Sequence, residues 1–142
     1  MKKIEFSINL TLLKKKDDVI QTLFDYDKMK YYQMPPLKDY KIIKGADLQD
    51  GTLRKLYYSD DDSDIMYEGV VKNELPKGIT FVQKYKSVKV ILKHSFTSLH
   101  EHTLWKVDYT FEVSDDAKID RMGLIKQLTL DMKAFKGYIE ND

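Results

Sequence analysis

The chain has 142 residues, no cysteine, and 24 basic against 23 acidic side chains, for a net charge of +1. That length suits one domain with a single sizeable core. The near-cancelling charge, with no basic stripe, argues against a nucleic-acid binder, and the missing thiols exclude disulfides and thiolate chemistry.

The first segment, IEFSINL, alternates Ile4, Phe6, Ile8 and Leu10 with Glu5, Ser7 and Asn9, which predicts a half-buried strand. The same polar residues interrupt the apolar stretch that a signal peptide would need after MKK. No later run approaches the roughly 18 apolar residues that span a bilayer, so a cytoplasmic protein is expected, as the lack of cysteine also suggests. Lys14, Lys15 and Lys16 read as a helix-flanking charge run. Asp17 or Asp18 is the expected N-cap of a helix whose apolar face is Val19, Ile20, Leu23 and Phe24. Pro35 and Pro36 end any helix continuing through Met29 to Tyr32.

The period then changes. LKDYKIIKG, TLRKLYYS, DIMYEGVV, ITFVQKYK, VKVILKHSFTSL and TLWKVDYTFEV are rich in β-branched and aromatic residues, and turn signals separate several of them. Six strands at this spacing predict an antiparallel meander. One turn signal, Asp60-Asp61-Asp62-Ser63-Asp64, has the look of a calcium loop. It fails the test, because Ile65 stands where glycine is required and Val71 where glutamate is. From Lys118 to about Tyr138 the apolar residues Ile119, Met122, Ile125, Leu128, Met132, Phe135 and Ile139 step by three and four, so a long amphipathic helix must cover something. Its terminal Glu140-Asn141-Asp142 places anions at the negative end of the helix dipole, and this end is expected to fray. A sheet with one apolar face and a helix with one apolar stripe bury each other in an α+β layout.

All three histidines and the one tryptophan fall in HSFTSLHEHTLWKVDYTFEV. In its second half Trp105, Val107, Tyr109, Phe111 and Val113 alternate with charged residues; in the strand before it, Val88, Val90, Leu92, His94 and Phe96 form the inward set. A hairpin that puts both sets on one face needs an even loop. A loop of Glu101-His102, or of His100 to Thr103, pairs Ser98 with Trp105, Phe96 with Val107 and His94 with Tyr109. His100 and His102 then sit at a solvated tip, where a His-x-His zinc site has no third ligand at a fixed spacing and no supporting shell. His94, among Leu92, Phe96 and Tyr109, is either a hydrogen-bonded core residue or a polar nitrogen aimed at a ligand.

The layout resembles the START-like superfamily, also called Bet v 1-like or SRPBCC. KIEFSINL and DDVIQTLFDYDKM are similar to its first strand and first helix, and KYYQMPPLKDYKII to its second short helix and second strand. GVVKNELPKGITFVQKY is similar to a strand–acidic–Leu–Pro–strand corner, and WKVDYTFEV to the last strand before the terminal helix. The likeness spans nearly the whole chain as pattern and order. The tryptophan frequent in the family's first helices is absent, with Tyr31 and Tyr32 nearby, and Lys14 to Lys16 replace the usual prolines.

The resemblance implies one START-like domain over residues 1–142 with the helix-grip fold. A curved antiparallel sheet of about seven strands would wrap around the long C-terminal helix, two short helices would follow the first strand, and a cavity would lie between sheet and long helix. It implies a small hydrophobic partner: a lipid, an aromatic or a polyketide-like molecule. The candidate cavity residues are Tyr67, Phe81, Gln83, Tyr85, His94, Phe96, Trp105 and Tyr109 on the strands, with Met122, Met132 and Phe135 facing them from the helix; methionines would adapt to ligand shape. Tyr67, Gln83, His94 and Tyr109 have the polar tips that could fix a ligand's oxygens. Two other readings stay open: a polyketide cyclase or aromatase using His94 and a tyrosine as acid and base, and a co-chaperone-like interaction protein whose cavity is merely packed core. No nucleophile elbow, P-loop, dinucleotide turn or zincin motif occurs, so no catalytic residue is named and neither metal nor cofactor is expected.

Overall fold

A computed structural model describes residues 1–61 and 64–141. Seven antiparallel strands form one sheet in the order β1-β7-β6-β5-β4-β3-β2. They are β1 (Lys2–Leu12), β2 (Asp39–Lys44), β3 (Leu53–Tyr57), β4 (Ile65–Asn73), β5 (Gly78–Tyr85), β6 (Val88–Leu99) and β7 (His102–Val113). Helix α1 (Lys16–Leu23) and a 3-10 turn of helix (Tyr26–Tyr31) fill the crossover between β1 and β2, and helix α2 (Arg121–Glu140) closes the chain. The meander from β2 to β7 is the one expected from the sequence. Register shifts between Ile42 and Lys44 and between Val70 and Lys72 mark bulges that bend the sheet around α2.

The alternation in β1 survives in the fold: Ile4, Phe6, Ile8 and Leu10 turn toward the core while Glu5, Ser7 and Asn9 face solvent. Helix α2 runs along this strand and is tied to it at both ends. Arg121 Nη2 donates to the Glu5 carbonyl at 3.1 Å, and Lys136 Nζ donates to that of Thr11 at 2.8 Å. The Leu13 N–H donates to Glu140 Oε2 at 2.8 Å, so the expected fraying does not extend to Glu140, which is held despite the unfavourable dipole. Between sheet and helix lies one apolar cluster that joins Leu12, Ile79, Val107 and Trp105 to Val19 and Phe24 and to Met132, Phe135 and Ile139 of α2. A second cluster of Tyr26, Met29, Leu37 and Leu56 sits beneath the 3-10 segment.

Three local expectations are corrected. Helix α1 is entered from Lys15 without a side-chain cap, and Asp17 and Asp18 lie inside its first turn, facing the positive end of the dipole. Helix α2 starts at Arg121 rather than Lys118, because Asp120 accepts from the Gly123 N–H at 3.1 Å and sets the N-cap there. The β6–β7 hairpin turns on His100 and Glu101, one residue earlier than expected, because His100 takes a left-handed φ of 58°. The pairing is therefore Phe96 with Trp105 and His94 with Val107, a slip of two residues that leaves every side chain on its expected face.

Candidate functional site

Between the sheet and α2 lies a cavity of about 440 Å³. Phe81 and Gln83 of β5, Leu92 and His94 of β6, and Trp105 and Tyr109 of β7 form its floor. Met132, Phe135 and their neighbours on α2 form the opposite wall, and the 3-10 segment with its C-cap closes the side with Tyr26, Met29 and Tyr32. At the mouth Met34 and Leu130 are 80% and 52% exposed.

Seven of the sequence-predicted residues therefore come together on this lining: Phe81, Gln83, His94, Trp105, Tyr109, Met132 and Phe135. Four do not. Tyr67 is 40% exposed on the outer face, where Lys55 Nζ lies 5.7 Å from its ring centre, because β4 turns Met66, Glu68 and Val70 inward instead. Tyr85 shares the parity of Phe81 and Gln83, but lies beyond the cavity and donates its hydroxyl to Asp64 Oδ1 at 2.9 Å. Phe96 is buried in the core beside Phe24 without reaching the cavity. Met122 is 72% exposed, since the later start of α2 leaves it in the first turn with nothing to cover it.

His94 is the imidazole of the floor. Its Nδ1 accepts from the Trp105 indole N–H at 3.1 Å, which fixes the neutral tautomer with the proton on Nε2. Phe24 and Phe81 meet the imidazole edge to face at 5.4 and 5.8 Å. Burial in this setting lowers its pKa to about 4, so the ring is uncharged at neutral pH and Nε2 can only donate. No protein acceptor for that proton is found among the described residues.

The end of the cavity toward β3 holds a buried network that the sequence did not reveal. Glu68 of β4 accepts from the Tyr26 hydroxyl and, at 2.7 Å, from Gln83 Nε2. Arg54, its directly paired residue on β3, is fully buried and stacks its guanidinium 4.2 Å from the Tyr26 ring centre. Its Nη2 donates to Asp47 Oδ1 at 2.9 Å, and its Nε lies 3.9 Å from Glu68 Oε1, while Nε and Nη1 find no hydrogen-bond partner among the described residues. Burial raises the Glu68 pKa and outweighs the opposing pull of Tyr26, Gln83 and Arg54. A signal did exist in the sequence. Arg54 is in phase with Leu56, and Glu68 with Met66 and Val70, so two opposite charges share the inward parity of neighbouring strands.

At the other end Asp131 of α2 accepts from Gln127 Nε2 at 3.0 Å, and partial burial raises its pKa. It acts on the Tyr109 hydroxyl, whose pKa rises through burial first and this carboxylate second. Tyr58, beside Glu68, is likewise held neutral by burial. Tyr58 and Tyr109 line the cavity with no hydrogen-bond partner among the described residues, and so leave hydroxyls for a guest. Among the described residues, no group of three or more His, Asp and Glu side chains is placed to hold a metal ion. Asp62 and Ser63 of the acidic run fall outside them. No helix among them is long and apolar enough to cross a membrane.

No protein-family model matches the sequence, and no curated protein does either. Solved structures do. Ara h 8.0201 superposes with a TM-score of 0.75 at 17% identity, covering 99% of this chain and all of its own. A START superfamily protein from Mycobacterium smegmatis gives 0.76 at 16% identity, covering 96% and 97%. The ZhuI aromatase/cyclase from a Streptomyces species gives 0.73 at 14% identity, covering 98% and 94%. The chain has the Bet v 1/START-like helix-grip fold.

Proposed function

We propose that residues 1–142 act as one cytoplasmic START-like domain that holds a small hydrophobic molecule between sheet and α2, with no nucleic-acid partner. The observation that carries this is the 440 Å³ cavity, walled mainly by aromatic and aliphatic side chains, to which His94 Nε2 and the hydroxyls of Tyr58 and Tyr109 bring polar tips with no partner among the described residues. Pockets for small ligands have this composition: apolar area supplies affinity, and a few polar groups supply orientation. A co-chaperone-like domain with a packed core would need no such space. Native mass spectrometry of gently purified protein should show a persistent added mass that denaturation releases. Bare protein, together with failure to bind a fluorescent apolar probe, would sink the reading.

A cyclase or aromatase reading has one observation in its favour: the Nε2 proton of His94 and the Tyr109 hydroxyl border the same cavity, in a fold shared with an aromatase/cyclase. The depressed His94 pKa makes the imidazole a weak base, so ligand holding is the better use of it. His94→Ala separates the two readings. Unchanged affinity with lost turnover of an aromatic polyketone supports catalysis, whereas lost affinity supports holding.

A further inference from the structure

We infer that the guest is an organic cation, a protonated amine on an aromatic or aliphatic body, seated with its ammonium group at Glu68; this rests on the cavity-binding reading above. The sign of charge around the cavity carries the inference. Glu68 and Asp131 line it, and among the described residues no lysine or arginine does. Arg54 stands behind Tyr26 rather than on the lining, and its one positive charge faces two carboxylates, Asp47 at 2.9 Å and Glu68 at 3.9 Å. The guanidinium gives its hydrogen bond to Asp47, which is 63% exposed and solvated, so ionised Glu68 is left with a cation at 3.9 Å that makes no hydrogen bond to it. A buried carboxylate so incompletely paired is costly, and a guest that donates a charged N–H to it lowers that cost.

The remaining geometry agrees. Each Glu68 oxygen takes one hydrogen bond, from Tyr26 and from Gln83, and a carboxylate has about four acceptor sites, so room for a donor remains. Eight of the lining side chains are aromatic, Tyr26 and Tyr58 beside Glu68 among them. Their ring faces are negative and attract cations further. Asp131 lies near Tyr109 on β7, three strands from β4, or about 14 Å at ~4.8 Å per strand. A carboxyl group thus stands at each end, and among the described residues nothing on the lining offers a positive charge to a fatty acid.

The test uses three probes of one shape: naphthylethylamine, naphthylethanol and naphthylacetic acid, titrated calorimetrically into the whole protein at neutral pH. The amine should bind about tenfold or more tighter than the alcohol, an advantage of ~1.4 kcal/mol, and the acid should bind weakest. Glu68→Gln, which keeps the size and the capacity to accept from Tyr26, should bring the amine down to the alcohol. Asp131→Asn should reduce the amine's advantage by less. Equal binding of amine and alcohol to the wild-type protein overturns the inference and leaves the cavity reading intact. Preference for the acid overturns it too, and so does a loss of amine preference in Asp131→Asn larger than that in Glu68→Gln. Failure of all three probes to bind removes both readings together. The wild-type comparison needs no variant, so a poorly folding Glu68→Gln leaves the decision in place.

Discussion

The Trp105–His94 hydrogen bond, with three aromatic rings around the imidazole, makes one side chain a reporter of pH. In the unfolded chain His94 takes a proton near 6.5, whereas the folded protein refuses it until about 4. The contribution to stability is complete above the unfolded value and is lost as pH falls from 6.5 toward 4, a difference of roughly 3 kcal/mol. Glu68 works in the opposite sense, because its raised pKa favours the fold at low pH and that gain is lost as pH rises. His94→Gln, which retains an acceptor for the indole, isolates the first effect. Denaturant titrations across this pH range should show a shallower slope in the variant, and parallel curves would refute the assignment. The Arg54–Glu68 pair permits a second measurement. Arg54→Met leaves a buried carboxylate without its cation and should cost about 3–5 kcal/mol. Adding Glu68→Gln should restore part of that loss, and a double-mutant cycle reads the coupling directly.

Two glycines separate what the strands need from what the helix needs. A Cβ on Gly78 would stand 2.3 Å from the His94 carbonyl oxygen, so β5 approaches β6 there only because the residue has no side chain. Gly78→Ala should lower stability by about 1–3 kcal/mol. Gly137 on α2 has nothing near its missing Cβ, and Gly137→Ala should raise stability by about 0.5–1 kcal/mol. Thermal melts of the two variants should therefore move in opposite directions. The elements themselves were legible in the chain, since the switch from a period of two to one of three and four separates the strands from α2. The hairpin register was not, because without Asn-Gly or Asp-Gly nothing in the sequence shows that His100 adopts the left-handed conformation. On β4 the strand was legible but its face was not. Taking Tyr67 as inward puts Glu68 outside, whereas the donors Tyr26 and Gln83 and the paired Arg54 together make an inward carboxylate tolerable.

At the scale of the molecule, the order and pattern of the elements were enough to anticipate the fold, whereas the site was legible only where apolar parity carried it. Residues whose parity and position both agreed, such as Phe81, His94 and Tyr109, reached the cavity; the acidic lining was missed because hydrophobic patterning taken strand by strand places charge outside, and the shared parity of Arg54 and Glu68 shows only when the two strands are read together. The sheet order has a consequence for how the molecule is made. The opening strand β1 pairs with β7 alone, from Lys2 opposite Val113 to Leu12 opposite Thr103. On a ribosome adding about 5–20 residues per second, it waits roughly 5–20 s for its partner. Throughout that interval Ile4, Phe6, Ile8 and Leu10 have no β7 to shelter them, so synthesis itself creates a sticky intermediate that later-emerging segments must quench.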